Sequence, residues 1–223
     1  SCIYYFKHQP SVAAFLEGTG FASFGRWIAY SPDNNLPGLG WWVFVVTVFY
    51  FVIPAAIIKL HWRADLRDYG LRLGIEPSFW KLLAISSAIM LPLVYLMSLT
   101  EGFAAKYPFL QIYNGEPYIG QTLLVWQLIY FLQFFGLEFF FRGFLVHSLK
   151  PSLGLYSIFV MTVPYCMIHF SKPMPETLSA IAAGIFLGWL SYKNGSIWLG
   201  LVLHCMVAFS MDIFALHAKG LLF

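Results

Sequence analysis

Six ionisable side chains within or at the edge of the later apolar runs are of types that could do chemistry. Glu138 and Arg142 fall in LEFFFRG, His169 closes YCMIH, Glu176 follows Pro173 and Pro175, His204 opens HCMVA, and Asp212 comes later in that last run. An ionisable group in hydrocarbon costs about 3 kcal/mol even on insertion scales, so such residues are rare and mark functional sites. Glu138 and Arg142 are four apart and project from one helix face. A carboxylate and an imidazole can bind and deprotonate a water, and a second imidazole can donate a hydrogen bond to a developing oxyanion. The arginine would hold the carboxylate ionised and oriented. That is a hydrolytic set for a peptide bond within or beside a membrane. A divalent metal such as zinc, held by His169 and His204, would activate the same water in another way. Serine-based hydrolysis is less attractive, because the chain has no Gly-x-Ser-x-Gly elbow.

Each residue also has a structural reading. Glu138 and Arg142 would neutralise each other in a low dielectric. Glu176, in the first turn of a helix, would interact with the helix dipole. A lone intramembrane histidine is often a hydrogen-bonded packing residue. Asp212 is expected near the outer surface, facing a water-filled vestibule or serving structure alone. Cys166 and Cys205 adjoin histidines, but neighbours in a helix do not face the same way, which disfavours a Cys/His metal cluster. With Cys2 the cysteines number 3 and form no CxxC pair, so no disulfide framework is indicated.

These groups need a scaffold, and the composition says which. Hydrophobic residues make up 60 % of the 223, charged residues only 10 %, and the mean hydropathy is +0.72. A soluble domain carries about 25 % charged residues, so lipid is the natural solvent of this chain. The net charge of +3 gives no reason to expect nucleic acid. The fold class expected is an all-α, polytopic membrane helix bundle. Residues 1–37 read as an interfacial segment, and six spans follow at about 39–60, 79–100, 119–146, 152–170, 176–192 and 196–216, each helical because backbone in lipid must satisfy its own hydrogen bonds. Lys150-Pro151 is expected to separate the third and fourth spans, and Asn194-Gly195 to turn the chain between the fifth and sixth. Ala180, Gly184 and Gly188 form a small-residue packing face. Trp41, Trp42, Trp80 and Trp198 read as interface anchors. Arg63, Arg67, Arg72, Lys81, Lys150 and Lys193 gather on the odd connections, which the positive-inside rule makes cytoplasmic.

At the polar residues the chain resembles the CAAX prenyl protease and bacteriocin-processing (CPBP, Abi) family. Its pattern is EExxxR on one helix, FxxxH on the next and HxxxN or HxxxD on the last of a four-helix core. LEFFFRG (137–143), YCMIH (165–169) and HCMVA (204–208) follow in that order, and HFSKPMPE, KNGSIWLGLVLH and YGLRLG (69–74) are also similar to bacterial members. The resemblance covers about residues 65–212. It implies an intramembrane endopeptidase of a bacterial cytoplasmic membrane, acting on a membrane-protein or peptide substrate, with Glu138, Arg142, His169 and His204 as the site. Tyr165 stands for the pattern's Phe. The first glutamate is Leu137 here, and the Asn or Asp after the last histidine is Ala208. Leu137 lies about 100° around the helix from Glu138, so Glu138 does not simply occupy the missing carboxylate's place, whereas Asp212, one turn beyond Ala208, is a partial substitute.

Two other readings stay open. These departures and the 20 % aromatic content suit an inactive subunit or scaffold of a larger membrane complex, contacting pigment or lipid. His169 and His204 as axial ligands of a haem-like pigment is the third, and a transporter is disfavoured because no repeat or unwound Gly-rich span is visible. One tension remains: a simple ladder of spans leaves Glu138 towards the cytoplasmic end of its helix and His169 near the opposite side, unless residues 143–158 re-enter.

Overall fold

The computed structural model describes residues 6–73 and 78–222; Cys2, the start of the expected interfacial segment and Gly74 of YGLRLG lie outside the described residues. Two short helices, α1 (Gln9–Leu16) and α2 (Ala22–Tyr30), pack on each other. They leave Phe15, Phe21, Phe24, Trp27 and Tyr30 exposed. Gln9 ties α1 to the next helix by donating to the Gly38 carbonyl at 3.0 Å.

That helix, α3 (Leu36–His61), starts with Pro37 in its first turn, where a missing N–H costs nothing. Pro54 lies inside it between two wider π-helical stretches, Val48–Val52 and Ile57–His61. Helix α4 (Phe79–Ser98) packs along the last helix, α8 (Trp198–Ala218). Helix α5 (Gln121–Leu153) is the centre of the bundle: its first half packs on α3 and α8, and its π-helical stretch Phe139–Leu145 packs on α6 (Tyr156–Met167) and α7 (Met174–Asn194). Because α5 is surrounded, Glu138 and Arg142 are both 0 % exposed.

The molecule is an all-α membrane helix bundle. Among the described residues four helices (α3, α4, α5 and α8) are both long and apolar enough to cross a bilayer, against six spans expected. Helix α7 has 21 residues but carries Glu176 and Lys193 at its ends. The fourth run yields only the 12-residue α6. Two further expectations fail. Lys150-Pro151 does not break the chain; α5 runs through it to Leu153 and stops at Gly154, whose φ of 53° suits glycine. Trp42 is not an interface anchor but packs in the core, its ring 6.4 Å from Trp126 and 6.2 Å from Tyr130.

Small residues set the closest helix contacts. Ala180, Gly184 and Gly188 of α7 are buried; a Cβ at Gly184 would meet Thr162 Cγ2 at 2.9 Å, and one at Gly188 would meet Met161 Cε at 2.7 Å. Thus the stripe read from sequence is the α6–α7 contact. Gly143 admits the Tyr69 carbonyl, which a Cβ there would approach to 2.5 Å, and Ile197 N donates to Gly70 O at 3.0 Å. The tight 66–69 turn thereby docks on α5 and on the start of α8.

Helix lengths dissolve the tension over depth. From Glu138 to its C-terminal end α5 climbs about 22 Å, and from Tyr156 to His169 the chain returns about 20 Å, at 1.5 Å per residue. A returning helix that stops short brings His169 back level with Glu138.

Candidate active site

Glu138 Oε1 is the hub of the buried polar cluster. His204 Nδ1, on α8, donates to it at 2.7 Å, and Arg142 Nη1, one turn along α5, lies 3.1 Å away. With Nδ1 donating, Nε2 of a neutral His204 is an acceptor, and it faces the Tyr165 hydroxyl at 3.3 Å. Phe134 stacks on the His204 ring at 4.8 Å and fixes its plane. The Arg142 guanidinium lies 3.8 Å from the centroid of the Tyr165 ring, a favourable cation–π arrangement. Tyr165 thus touches both charged partners' surroundings from α6.

His169 joins through Tyr165. Its Nδ1 donates to the Tyr165 carbonyl at 2.9 Å, leaving Nε2 as the lone-pair nitrogen, and the two rings are 4.8 Å apart. The carbonyl of His169 is in turn held by Thr177 Oγ1 at 2.7 Å. Four of the expected residues and Tyr165 therefore form one connected cluster drawn from α5, α6, α8 and the turn after α6. Leu137, where the resembling family carries a carboxylate, is 4 % exposed and packs with Val46, Tyr50, Phe141 and Tyr165.

Asp212 and Glu176 stand apart from this cluster. Asp212 does not face a vestibule: it is 0 % exposed, and its Oδ2 accepts from Trp126 Nε1 at 2.8 Å and Gln127 Nε2 at 2.7 Å. The expectation failed because α8 turns this residue onto the apolar first half of α5. Nor does Asp212 take the place vacated at Ala208, which is buried in an apolar cluster. Glu176 pairs with Lys172 at 2.6 Å and accepts from the Tyr107 hydroxyl at 2.9 Å. Burial, reinforced by nearby Tyr130 and Glu176, pushes the Tyr107 hydroxyl well above its ordinary range, so it stays a donor.

Sequence reasoning missed Ser191, whose hydroxyl donates to the Arg142 carbonyl at 3.0 Å, and Gly200, whose bare Cα faces Glu138 Oε2. A serine and a glycine in apolar runs carry no signal of their own. Among the described residues no three His, Cys, Asp or Glu side chains converge as metal ligands. His204 already engages both ring nitrogens, so a zinc site of three or four protein donors does not fit here.

Comparison with curated proteins and with solved structures gave no match. A family model does match: residues 119–210 fit the Rce1-like family, described as type II CAAX prenyl endopeptidase Rce1-like. The matched segment holds α5, α6, α7 and most of α8, and with them Glu138, Arg142, Tyr165, His169 and His204. Over residues 119–210 the chain is therefore similar to the type II CAAX prenyl endopeptidase Rce1-like family.

Proposed function

We propose that the protein is an intramembrane endopeptidase that hydrolyses a peptide bond of a membrane-protein or prenylated peptide substrate, in a bacterial cytoplasmic membrane. The observation that carries this reading is the Glu138–His204 contact of 2.7 Å inside a wholly buried carboxylate–guanidinium pair. It supports a division of labour. Arg142 keeps Glu138 ionised, and Glu138 orients His204 and stabilises its protonated form. His204 Nε2 then takes a proton from water as the water oxygen attacks the scissile carbonyl. The Tyr165 hydroxyl, released from Nε2, donates to the developing oxyanion. His204 Nε2 then passes that proton to the departing amine as the C–N bond breaks, and the lone-pair Nε2 of His169 accepts the water's second proton as the product carboxylate forms. Glu138 is thus a positioning residue, a different role from direct water activation.

The test uses purified protein in nanodiscs and a panel of fluorogenic transmembrane and prenylated peptides. His204→Ala and His169→Ala are each expected to lower kcat at least about a hundredfold with little change in KM, the usual scale of acid–base catalysis. Cleavage that survives His204→Ala and Glu138→Gln removes the assignment. One observation favours an inactive scaffold instead: Leu137 fills the family's carboxylate position with apolar packing. That reading gains if the purified chain cleaves nothing and co-purifies with other membrane subunits.

A further inference from the structure

The Glu138–Arg142 pair is not completed by protein groups. Glu138 Oε2 and the guanidinium nitrogens Nε and Nη2 are buried without a hydrogen-bond partner, and Nη1, although 3.1 Å from Oε1, is poorly aligned for one. Buried charges left this way are costly, because an unmade hydrogen bond leaves the desolvation penalty of the group uncompensated. A cavity of about 10 Å³ is lined by both residues. Its lining includes Glu138, Arg142, Ser191, Asn194, Ser196 and Gly200, with apolar side chains such as Leu187 and Leu199 between them. An apolar cavity of this size would stay dry, but one with two to four polar partners and room for about one probe sphere holds a water.

We propose that this cavity is a binding site for one ordered water that bridges Glu138 Oε2 and the Arg142 guanidinium and exchanges through the α7–α8 turn. Gly200 makes the room: a Cβ there would fall 2.7 Å from Oε2, where the water's partner atom sits. The route lies at Asn194 and Ser196, which are half-buried, while Glu138 and Arg142 are wholly buried. Leu71 pairs with Ser196 across a backbone bridge. The site does not depend on the hydrolase reading, since the same atoms need solvation in an inert bundle. It also lies on the Gly200 side of Glu138, whereas the proposed reaction uses the His204–Tyr165 side.

X-ray radiolytic hydroxyl labelling of the full chain in detergent, read by mass spectrometry, tests the site without any substrate, because buried side chains beside a bound water are oxidised. Leu187 and Leu199, 7 % and 8 % exposed, are compared with Leu123 at 7 % and Leu110 at 0 %. Labelling of the first two at least about fivefold faster than the controls supports the site; equal rates overturn it. In Gly200→Ala that excess falls to the control level while Leu110 and Leu123 are unchanged. An excess that persists in a monodisperse Gly200→Ala sample overturns the assigned position. If that variant is not monodisperse, Ser196→Ala, which removes a polar lining group without adding bulk, is expected to lose at least half of the excess, and no loss overturns the route.

Discussion

Glu138 and Asp212 are carboxylates buried equally deep on the two facing helices α5 and α8, yet they are solvated in opposite ways. Glu138 is met by a guanidinium and an imidazole, two groups that carry or can acquire positive charge. Asp212 is met by an indole and an amide, two neutral donors, and its Oδ1 has no partner. Both contacts cross the same α5–α8 seam. The first assembles groups able to exchange protons around an oriented imidazole; the second is a crosslink to two neutral donors. A buried carboxylate is therefore not a mark of chemistry until its partners are known. Glu176, paired with Lys172 at the half-buried end of α7, is a third case, in which water shares the solvation.

The comparison breaks most visibly at Glu138. Glu138→Ala strands a buried guanidinium and is expected to cost about 3–5 kcal/mol, read as a fall in apparent Tm in detergent together with loss of cleavage. If Tm holds, the pair is not the centre of the bundle. Asp212→Ala leaves the Trp126 and Gln127 donors unpaired, at about 1–3 kcal/mol. Its folded fraction is expected to keep most of its kcat, and a hundredfold loss there would erase the distinction drawn between the two carboxylates. Glu176→Gln is expected to cost no more than about 1 kcal/mol, since partly exposed ion pairs contribute little. A larger Tm shift would mean that the Tyr107 contact is the stronger anchor of the 99–120 connection.

The costly residues were legible because their cost is local: Glu138, Arg142, His169 and His204 stand out against apolar neighbours whatever the fold. The membrane bundle and the Ala180, Gly184, Gly188 stripe were legible for similar reasons, being properties of a single run. What depended on a second helix was not. The direction of Asp212 follows from how α8 lies on α5. Tyr165 reads in the sequence as a mild replacement for phenylalanine, while its hydroxyl and ring connect His204, Arg142 and His169. The shortness of the fourth run's helix was not legible, because apolarity continues from 152 to 170 while the helix does not; Gly154 ends one helix and the turn after Met167 ends the next.

The unequal lengths of α5 and α6 bear on the surrounding lipid. Helix α6 is about 18 Å long and α5 about 50 Å, in a hydrocarbon layer of about 30 Å. Along α6, Phe159, Val160, Val163 and Met167 turn outward, so acyl chains that reach this flank meet a greasy wall too short for them. Mismatch of this kind is relieved by thinning the film, at a fraction of a kcal/mol for each ångström. The rim of the protein is thereby uneven, with a dimple on one flank, and short-tailed lipids would gather there in preference to long-tailed ones.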